Sequence, residues 1–458
     1  MNLISVHNIY FLGIGGIGMS ALARYFHLKG KSVAGYDLTS SPITKELEQS
    51  GIEIHYEADI NKIPPYILDK INTLIVRTPA IPDDHPELVY FQENNYTIKK
   101  RAEILGLLFN NKKGVAIAGT HGKTSVTSMS AFIMSSSEQG CNAFLGGIVK
   151  NTGSNLILNE TSPWMIVEAD EYDRSFLQLR PDIALVTWID ADHLDIYYTT
   201  NAIQESFKQF VEQVKPGGSI ILKKNITLSF NREDRKVYSY ALDDPSADFH
   251  SLNIRLKQTK YSFDIHTPDG TIQNIQLQYP GLTNVENAIA AAAVTWVAGI
   301  NKSIIGNALT NFKGVQRRFD IQYEGANCIY IDDYAHHPRE LDAFIGSVKK
   351  LYPDKKVTGI FQPHLYSRTR DFAGEFAQSL SSLDELILLD IYPAREKPIT
   401  GVSSKIIFDR VLLEKKQLCH KEKLLSLLRA KPLEVLLTMG AGDIDRFVDP
   451  IKTLIIKR

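Results

Sequence analysis

Val115-Ala116-Ile117-Ala118-Gly119-Thr120-His121-Gly122-Lys123-Thr124 passes from a short apolar run into a glycine-bracketed turn, and Lys123 then opens a helical pattern. A buried strand ending in such a turn presents backbone N–H groups and a helix N-terminus, the arrangement that receives a triphosphate. Lys123 can reach the outer phosphates, and the Thr124 hydroxyl can take a place on Mg2+. The spacing is not the usual G-x-x-x-x-G-K-[ST]. That pattern wants glycine at 117, where Ile117 stands, and the glycine sits instead at 119. The same residues also read as a strand-to-helix turn whose glycines only relieve backbone strain. The first reading makes this an α/β chain that handles ATP.

Upstream, residues 1–107 alternate short β-runs (Asn8 to Leu12, Ser32 to Tyr36, Leu74 to Val76) with helical spacing at Met19 to Lys29 and Thr44 to Ser50. Gly13-Ile14-Gly15-Gly16-Ile17-Gly18 follows the first run and satisfies G-x-G-x-x-G, with Asp37 about twenty residues on. Downstream, Met165 to Glu168 and Ile183 to Thr187 read as strands. β-rich alternation follows Pro216-Gly217-Gly218, and a helix runs from Asn284 to Ala298. Beyond a boundary near Gln316, strands at Ile329 to Ile331, Val357 to Phe361, Glu385 to Leu389 and Val435 to Thr438 alternate with helices, as βαβ units require.

A chain of 458 residues has room for two to four domains. A formal net charge of -1 argues against a nucleic-acid or membrane-surface protein. Cys141, Cys328 and Cys419 are isolated, which suits a reducing compartment. No stretch approaches the roughly 18 apolar residues of a membrane span. The expectation is a soluble, cytoplasmic protein, monomeric or weakly dimeric.

Two acidic segments carry chemistry. Glu168 ends an apolar run and opens Glu168-Ala169-Asp170-Glu171; a carboxylate at the carboxyl end of a parallel strand near a phosphate loop can hold Mg2+. The second strand ends in Asp190-Ala191-Asp192-His193-Leu194-Asp195, where His193 offers a nitrogen to a metal or is simply structural.

These motifs together resemble the Mur ligase family, the ATP-dependent amide-forming enzymes of peptidoglycan synthesis. Gly-Thr-His-Gly-Lys-Thr, Glu-Ala-Asp-Glu and Asp-His-Leu-Asp carry the likeness, with Gly281 to Asn287, Arg317-Arg318-Phe319-Asp320 and Asp332 to Pro338. Phe361 to Arg370 looks like the member that adds L-alanine to UDP-N-acetylmuramate. The resemblance spans essentially the whole chain. It implies an α/β fold of three domains: a Rossmann-like UDP-sugar-binding domain (1–107), a central P-loop ATPase-type domain (108–315) and a Rossmann-like C-terminal domain (316–458).

By that resemblance Gly119, Thr120, His121, Gly122, Lys123, Thr124 and Ser125 bind ATP, with Asn287 at the adenine, Asp332 near the ribose and Arg318 at the terminal phosphate. Thr124 and Glu168 hold one Mg2+, and His193 a second. Gly13, Gly15, Gly16 and Gly18 cradle the UDP diphosphate, while Asp37 and the turn Thr78-Pro79-Ala80-Ile81 lie by the uridine. His336, His337 and Arg368 serve the muramyl carboxylate and incoming alanine, with His337 as a candidate proton acceptor. Thr78-Pro79 stands where many relatives have a serine pair, and Leu365 where many have arginine. Rival readings are the sibling that recycles a tripeptide, folylpolyglutamate synthase, and an NAD-dependent oxidoreductase built on the N-terminal loop. The last leaves Gly119 to Thr124 without a purpose.

Overall fold

The computed structural model describes every residue except 1, 2, 4, 191–196, 198 and 395. The chain divides into two compact units. The first comprises Met1–Asn253, Phe263–Ile275 and Glu286–Asn311; the second comprises Ile254–Ser262, Gln276–Val285 and Phe312–Arg458.

The first unit holds two sheets. In the N-terminal one, β1 (Asn8–Leu12), β2 (Ser32–Tyr36), β3 (Glu53–His55), β4 (Thr73–Arg77) and β5 (Thr97–Lys100) lie in the order β3-β2-β1-β4-β5, all parallel. Strand order reverses beside β1, so the Gly13 turn leaves the sheet at its switch point, where α/β sheets bind ligands. The central sheet contains β6 (Lys113–Ala118), β7 (Asn142–Val149), β8 (Ser154–Ile157), β9 (Trp164–Glu168), β10 (Ile183–Val186), β11 (Ser219–Lys223) and β12 (Lys236–Tyr240). Their order is β12-β11-β10-β6-β9-β7-β8, with only the β7–β8 pair antiparallel. Here β6 lies between β10 and β9, so the loops after all three strands meet at one edge.

Parallel strands covered on both faces are largely apolar, and β1, β10 and β21 (Val435–Met439) are buried at every position, with Asn8 and Thr438 their polar members. One continuous core joins the first two sheets: Phe11, Phe26 and Phe109 belong to the same cluster as Ala116, Phe144, Phe176 and Phe207. Asn155 reinforces that junction. Its buried amide donates to Ile17 O at 2.7 Å and to Ser20 Oγ at 3.0 Å, tying β8 to the helix Ile17–Leu28 that follows the glycine turn. A three-stranded sheet follows, formed by β13 (His250–Lys257), β14 (Lys260–Thr267) and β15 (Gly270–Gln276).

In the second unit, β16 (Asp320–Glu324), β17 (Ile329–Asp333), β18 (Val357–Phe361), β19 (Glu385–Leu389), β20 (Lys416–Cys419) and β21 are ordered β16-β17-β21-β18-β19-β20. Only β16 is antiparallel. Tyr330, Ile360, Ile387, Leu436 and Ile451 centre its core. Among the described residues, no helix is long and apolar enough to cross a membrane.

Candidate active site

The loop after β6 owes its shape to two glycines. Gly119 has φ +129° and Gly122 φ +81°. A β-carbon on Gly119 would collide with Thr187 Oγ1 and lie 2.7 Å from Trp188 N. Thr187 closes the loop from the end of β10, donating its hydroxyl to Ala118 O (3.2 Å) and His121 O, while Thr120 N–H donates to Trp188 O at 2.9 Å. Gly122 caps the helix Lys123–Ser135, and a β-carbon there would sit 2.9 Å from Asn287 Oδ1. Asn287 therefore flanks the loop. Ser125 is buried in the helix's first turn, and His121 Nε2 lies 3.3 Å from Asp190 Oδ2. Thr120 Oγ1 is buried without a hydrogen-bond partner among the described residues, an orphaned group of the kind a bound ligand satisfies.

The Lys123 ammonium donates to Gly119 O at 2.7 Å and to both oxygens of Glu171, at 2.9 and 2.8 Å. The pair is buried, with the side chains 12% and 2% exposed. Burial would lower the lysine's pKa, but Glu171, Asp170 and Glu168 outweigh it and hold Lys123 above its ordinary value. Burial pushes Glu171 up to about 7 against the pull of Lys123. Glu171 was not among the expected site residues. Its place in an acidic run was visible, but not which of the acids faces Lys123.

Thr124 Oγ1 donates to Glu168 Oε2 at 2.9 Å. A β-carbon on Gly146, in β7, would collide with that same oxygen, so glycine leaves room for the carboxylate. The Thr124–Glu168 pair is all oxygen, the donor chemistry Mg2+ takes, and it accommodates such an ion. Among the described residues, no group of three or more His, Cys, Asp or Glu forms a metal cage, so water or phosphate oxygens would complete the shell. His193, expected as a second metal ligand, lies outside the described residues.

At the N-terminal loop, Gly13 has φ +87°, and a β-carbon there would lie 2.6 Å from Thr78 Cγ2. Thr78, Pro79 and Ala80 form a turn closed by Ile81 N–H to Thr78 O at 3.2 Å, and the Ile81 side chain also lies within 3.7 Å of that β-carbon position. Gly13 and Ile14 donate to Tyr36 O at 2.8 and 3.0 Å, Gly15 to Asp37 Oδ2 at 2.7 Å, and Gly16 to Gly13 O at 3.3 Å. Asp37 thus takes a loop N–H group for itself. Burial raises its pKa, opposed by hydrogen bonds from Gly15, Thr39 and Leu38. Gly18 carries the Arg101 guanidinium against it, with Nη1 2.8 Å from where a β-carbon would be.

In the second unit, consecutive arginines take different work. Arg317 donates to Asp332 Oδ2 (3.1 Å) and Gly440 O (2.6 Å), inside the fold. Arg318 lies 5.1 Å over the Tyr334 ring and 4.0 Å from Glu340 Oε1. Asp332 is fully buried; its Oδ1 accepts from Thr438 (2.6 Å) and its Oδ2 from Arg317. Both oxygens of Asp332, the residue expected near the ribose, thus accept hydrogen bonds within the fold. Its neighbour Asp333 accepts from Phe319 N and Ala335 N at 2.7 Å each, and burial pushes its pKa up to about 7 against the opposing Arg318 charge. His336 Nδ1 lies 3.2 Å from Glu340 Oε2, and its ring is 6.1 Å from that of His364. His337 is 6% exposed with its ring 5.1 Å from Phe372, and Arg368 is 8% exposed on the helix Tyr366–Asp371.

Three of the sheets each gather expected residues at one edge: Gly13 to Gly18 with Asp37 and Thr78, Gly119 to Ser125 with Glu168 and, from a helix, Asn287, and Arg318, just before β16, with His336 and His337. Comparison with known proteins follows the same division. Residues 8–113 match the Mur ligase family catalytic domain, 117–295 the Mur ligase middle domain, and 317–442 the Mur ligase glutamate ligase domain. The chain is 49% identical to the UDP-N-acetylmuramate–L-alanine ligase of Parabacteroides distasonis, covering 100% of this chain and 99% of the relative. It is similar to the crystal structure of UDP-N-acetylmuramate-alanine ligase MurC from Thermotoga maritima, with a TM-score of 0.84, 25% identity and 98% and 100% of the two chains covered. A murein peptide ligase from Psychrobacter arcticus shares the fold at a TM-score of 0.73 and 21% identity, over 98% of each chain. With three matched domains in order and near-complete coverage of a relative at almost half identity, the chain belongs to the Mur ligase family.

Proposed function

We propose that this chain is an ATP-dependent ligase joining L-alanine to the lactyl carboxylate of UDP-N-acetylmuramate, the first amino-acid addition in peptidoglycan precursor synthesis. The observation that carries the reading is the full-length 49% identity to a ligase of that name. The phosphate loop, with Lys123 and the Thr124–Glu168 pair at its mouth, supports it independently.

In this reading residues 1–107 bind the UDP-sugar, 108–315 bind ATP, and 316–458 supply the amino-acid pocket. A carboxylate in water does not condense with an amine until its oxygen becomes a good leaving group. ATP phosphorylates the lactyl carboxylate to an acyl phosphate. The neutral amine of L-alanine attacks, and the tetrahedral intermediate collapses to amide and phosphate. The first step presses two anions together, so neutralisation of charge dominates the catalysis. Lys123, released from Glu171, pairs with the outer phosphates, and Arg318 approaches the terminal one. Thr124 and Glu168 would hold one Mg2+ and His193 would serve a second; such ions would supply further neutralisation of phosphate charge. Asn287 contacts the adenine beside the loop. Gly13, Gly15, Gly16 and Gly18 take the UDP diphosphate, with Asp37, Thr78, Pro79 and Ala80 near the uridine. His336, His337 and Arg368 grip the carboxylates, and His337 orients the amine or accepts its proton. The enzyme works in the cytoplasm as a monomer or weak dimer, consistent with three free cysteines.

Phosphate release from ATP, measured with each substrate omitted in turn, tests this. Release should require UDP-N-acetylmuramate, and product should require L-alanine. Turnover with a tripeptide in place of L-alanine would favour the recycling sibling instead.

A further inference from the structure

The chain leaves β18 and enters the helix Tyr366–Asp371 through Leu365, whose backbone lies at φ +69° and ψ +138°. Only glycine visits that region readily, because a β-carbon there crowds the backbone. Leucine occupies it nonetheless, with its side chain buried at 7% exposure. Such a conformation persists only where the surroundings over-determine it, and here they do. Leu365 N–H donates to Tyr392 O at 3.0 Å; its carbonyl accepts from Thr369 N at 3.1 Å and Thr369 Oγ1 at 2.7 Å. His364 bridges Tyr392 as a strand would, with the two rings stacked 5.8 Å apart. Two residues on, Ser367 donates its N–H to Glu396 Oε2 at 2.9 Å and its hydroxyl to the same carboxylate.

The strain therefore sits between His364 and Arg368, the latter proposed for the carboxylate pocket. His364 precedes it, its ring 6.1 Å from His336, and Arg368 follows on the first turn of the helix. A sharp strand-to-helix turn is a known way to project a reactive side chain from the carboxyl edge of a sheet.

We propose that Leu365 is a positioning residue whose strained, pinned turn aims His364 and Arg368 and so sets how tightly the amino-acid carboxylate is held. This rests on the proposed role of Arg368. Small displacements of a positioning group translate into large kinetic losses: a shift of ~1 Å costs up to about 10²-fold.

Three variants test it. Leu365→Gly removes the buried anchor and frees the turn. Thr369→Val deletes the hydroxyl bond to the Leu365 carbonyl at nearly constant shape, and serves if the first variant folds poorly. Leu365→Met keeps the β-carbon and volume. The expected result is a rise in KM for L-alanine of about 10-fold or more in Leu365→Gly and ~3-fold in Thr369→Val. The KM for ATP should stay near wild type in both, and Leu365→Met should keep every KM at its wild-type value. A Leu365→Gly enzyme that folds and keeps its alanine KM, or that loses all three KM values together, overturns the proposal. Arg368→Lys separates the two ideas. If it raises the alanine KM while Leu365→Gly does not, only the positioning role falls. If it leaves the alanine KM unchanged, the pocket reading falls with it.

Discussion

Replacing Lys123 with alanine should damage stability as well as activity, and the two effects should separate in a second variant. In the wild-type protein Lys123 is held by both oxygens of Glu171, with the side chains 12% and 2% exposed. Removing one member of a buried ion pair leaves the other charge in a poor solvent and costs about 3–5 kcal/mol. Glu171 can escape part of that penalty by taking up a proton, since burial already pushes it up to about 7 with the lysine present. A cost of ~3 kcal/mol follows, or roughly 5 °C in Tm for a unit of this size. Without Lys123 the Glu171 pKa rises further. A carboxyl raised in the folded state stabilises below its unfolded pKa, and that stability is lost as pH climbs through the folded value. Wild type completes this loss near pH 7, while the variant continues losing above it. The Tm deficit of Lys123→Ala should therefore be larger at pH 8.5 than at pH 6. Lys123→Met with Glu171→Gln should regain most of the Tm, yet remain about 10²–10³-fold slow, because no cation meets the phosphates. Differential scanning calorimetry at the two pH values, with coupled phosphate-release kinetics, makes the check. A Lys123→Ala protein that melts with wild type at pH 8.5, or a double variant no more stable than the single one, refutes the reasoning.

Gly146→Ala drives a methyl group into Glu168 Oε2, so the carboxylate must leave Thr124; a Mg2+ titration of activity should show the half-saturating concentration raised about 10–100-fold. Gly119→Ala meets both a φ of +129° and the backbone of Trp188, and should lose ~2 kcal/mol or more of stability by chemical denaturation and most ATP affinity by calorimetry. Asp333 is raised to about 7 by burial, so its contribution is full at low pH and disappears as pH rises through 7. Asp333→Asn should flatten the fall in Tm between pH 6 and pH 8, and an unchanged slope would contradict that.

The three sheets were legible because parallel strands covered on both faces leave continuous apolar runs, as at Asn8 to Leu12 and Val115 to Ala118. β3, three residues long, and β5, with its two lysines, lack that signature and were not foreseen. The core shared by the N-terminal and central sheets was invisible too, because Asn155 and Phe144 declare no partner in one dimension. Glycine loops announce themselves, whereas a leucine at positive φ does not, since its tertiary bonds alone hold it there. The acidic run shows where ambiguity remained. Glu168 and Glu171 look alike in a string of letters, yet the first, closing β9, accepts from Thr124 and the second, three residues on, pairs with Lys123. In Asp332-Asp333 the strand's alternation decides: the first acid points into the interior and the second caps the arginine loop.

The most direct measurement follows one oxygen. UDP-N-acetylmuramate labelled with heavy oxygen in its lactyl carboxylate, turned over with ATP and L-alanine, should deliver one labelled atom to each phosphate released, read by mass spectrometry. Unlabelled phosphate, or label appearing in AMP, would contradict transfer of the terminal phosphoryl group to that carboxylate.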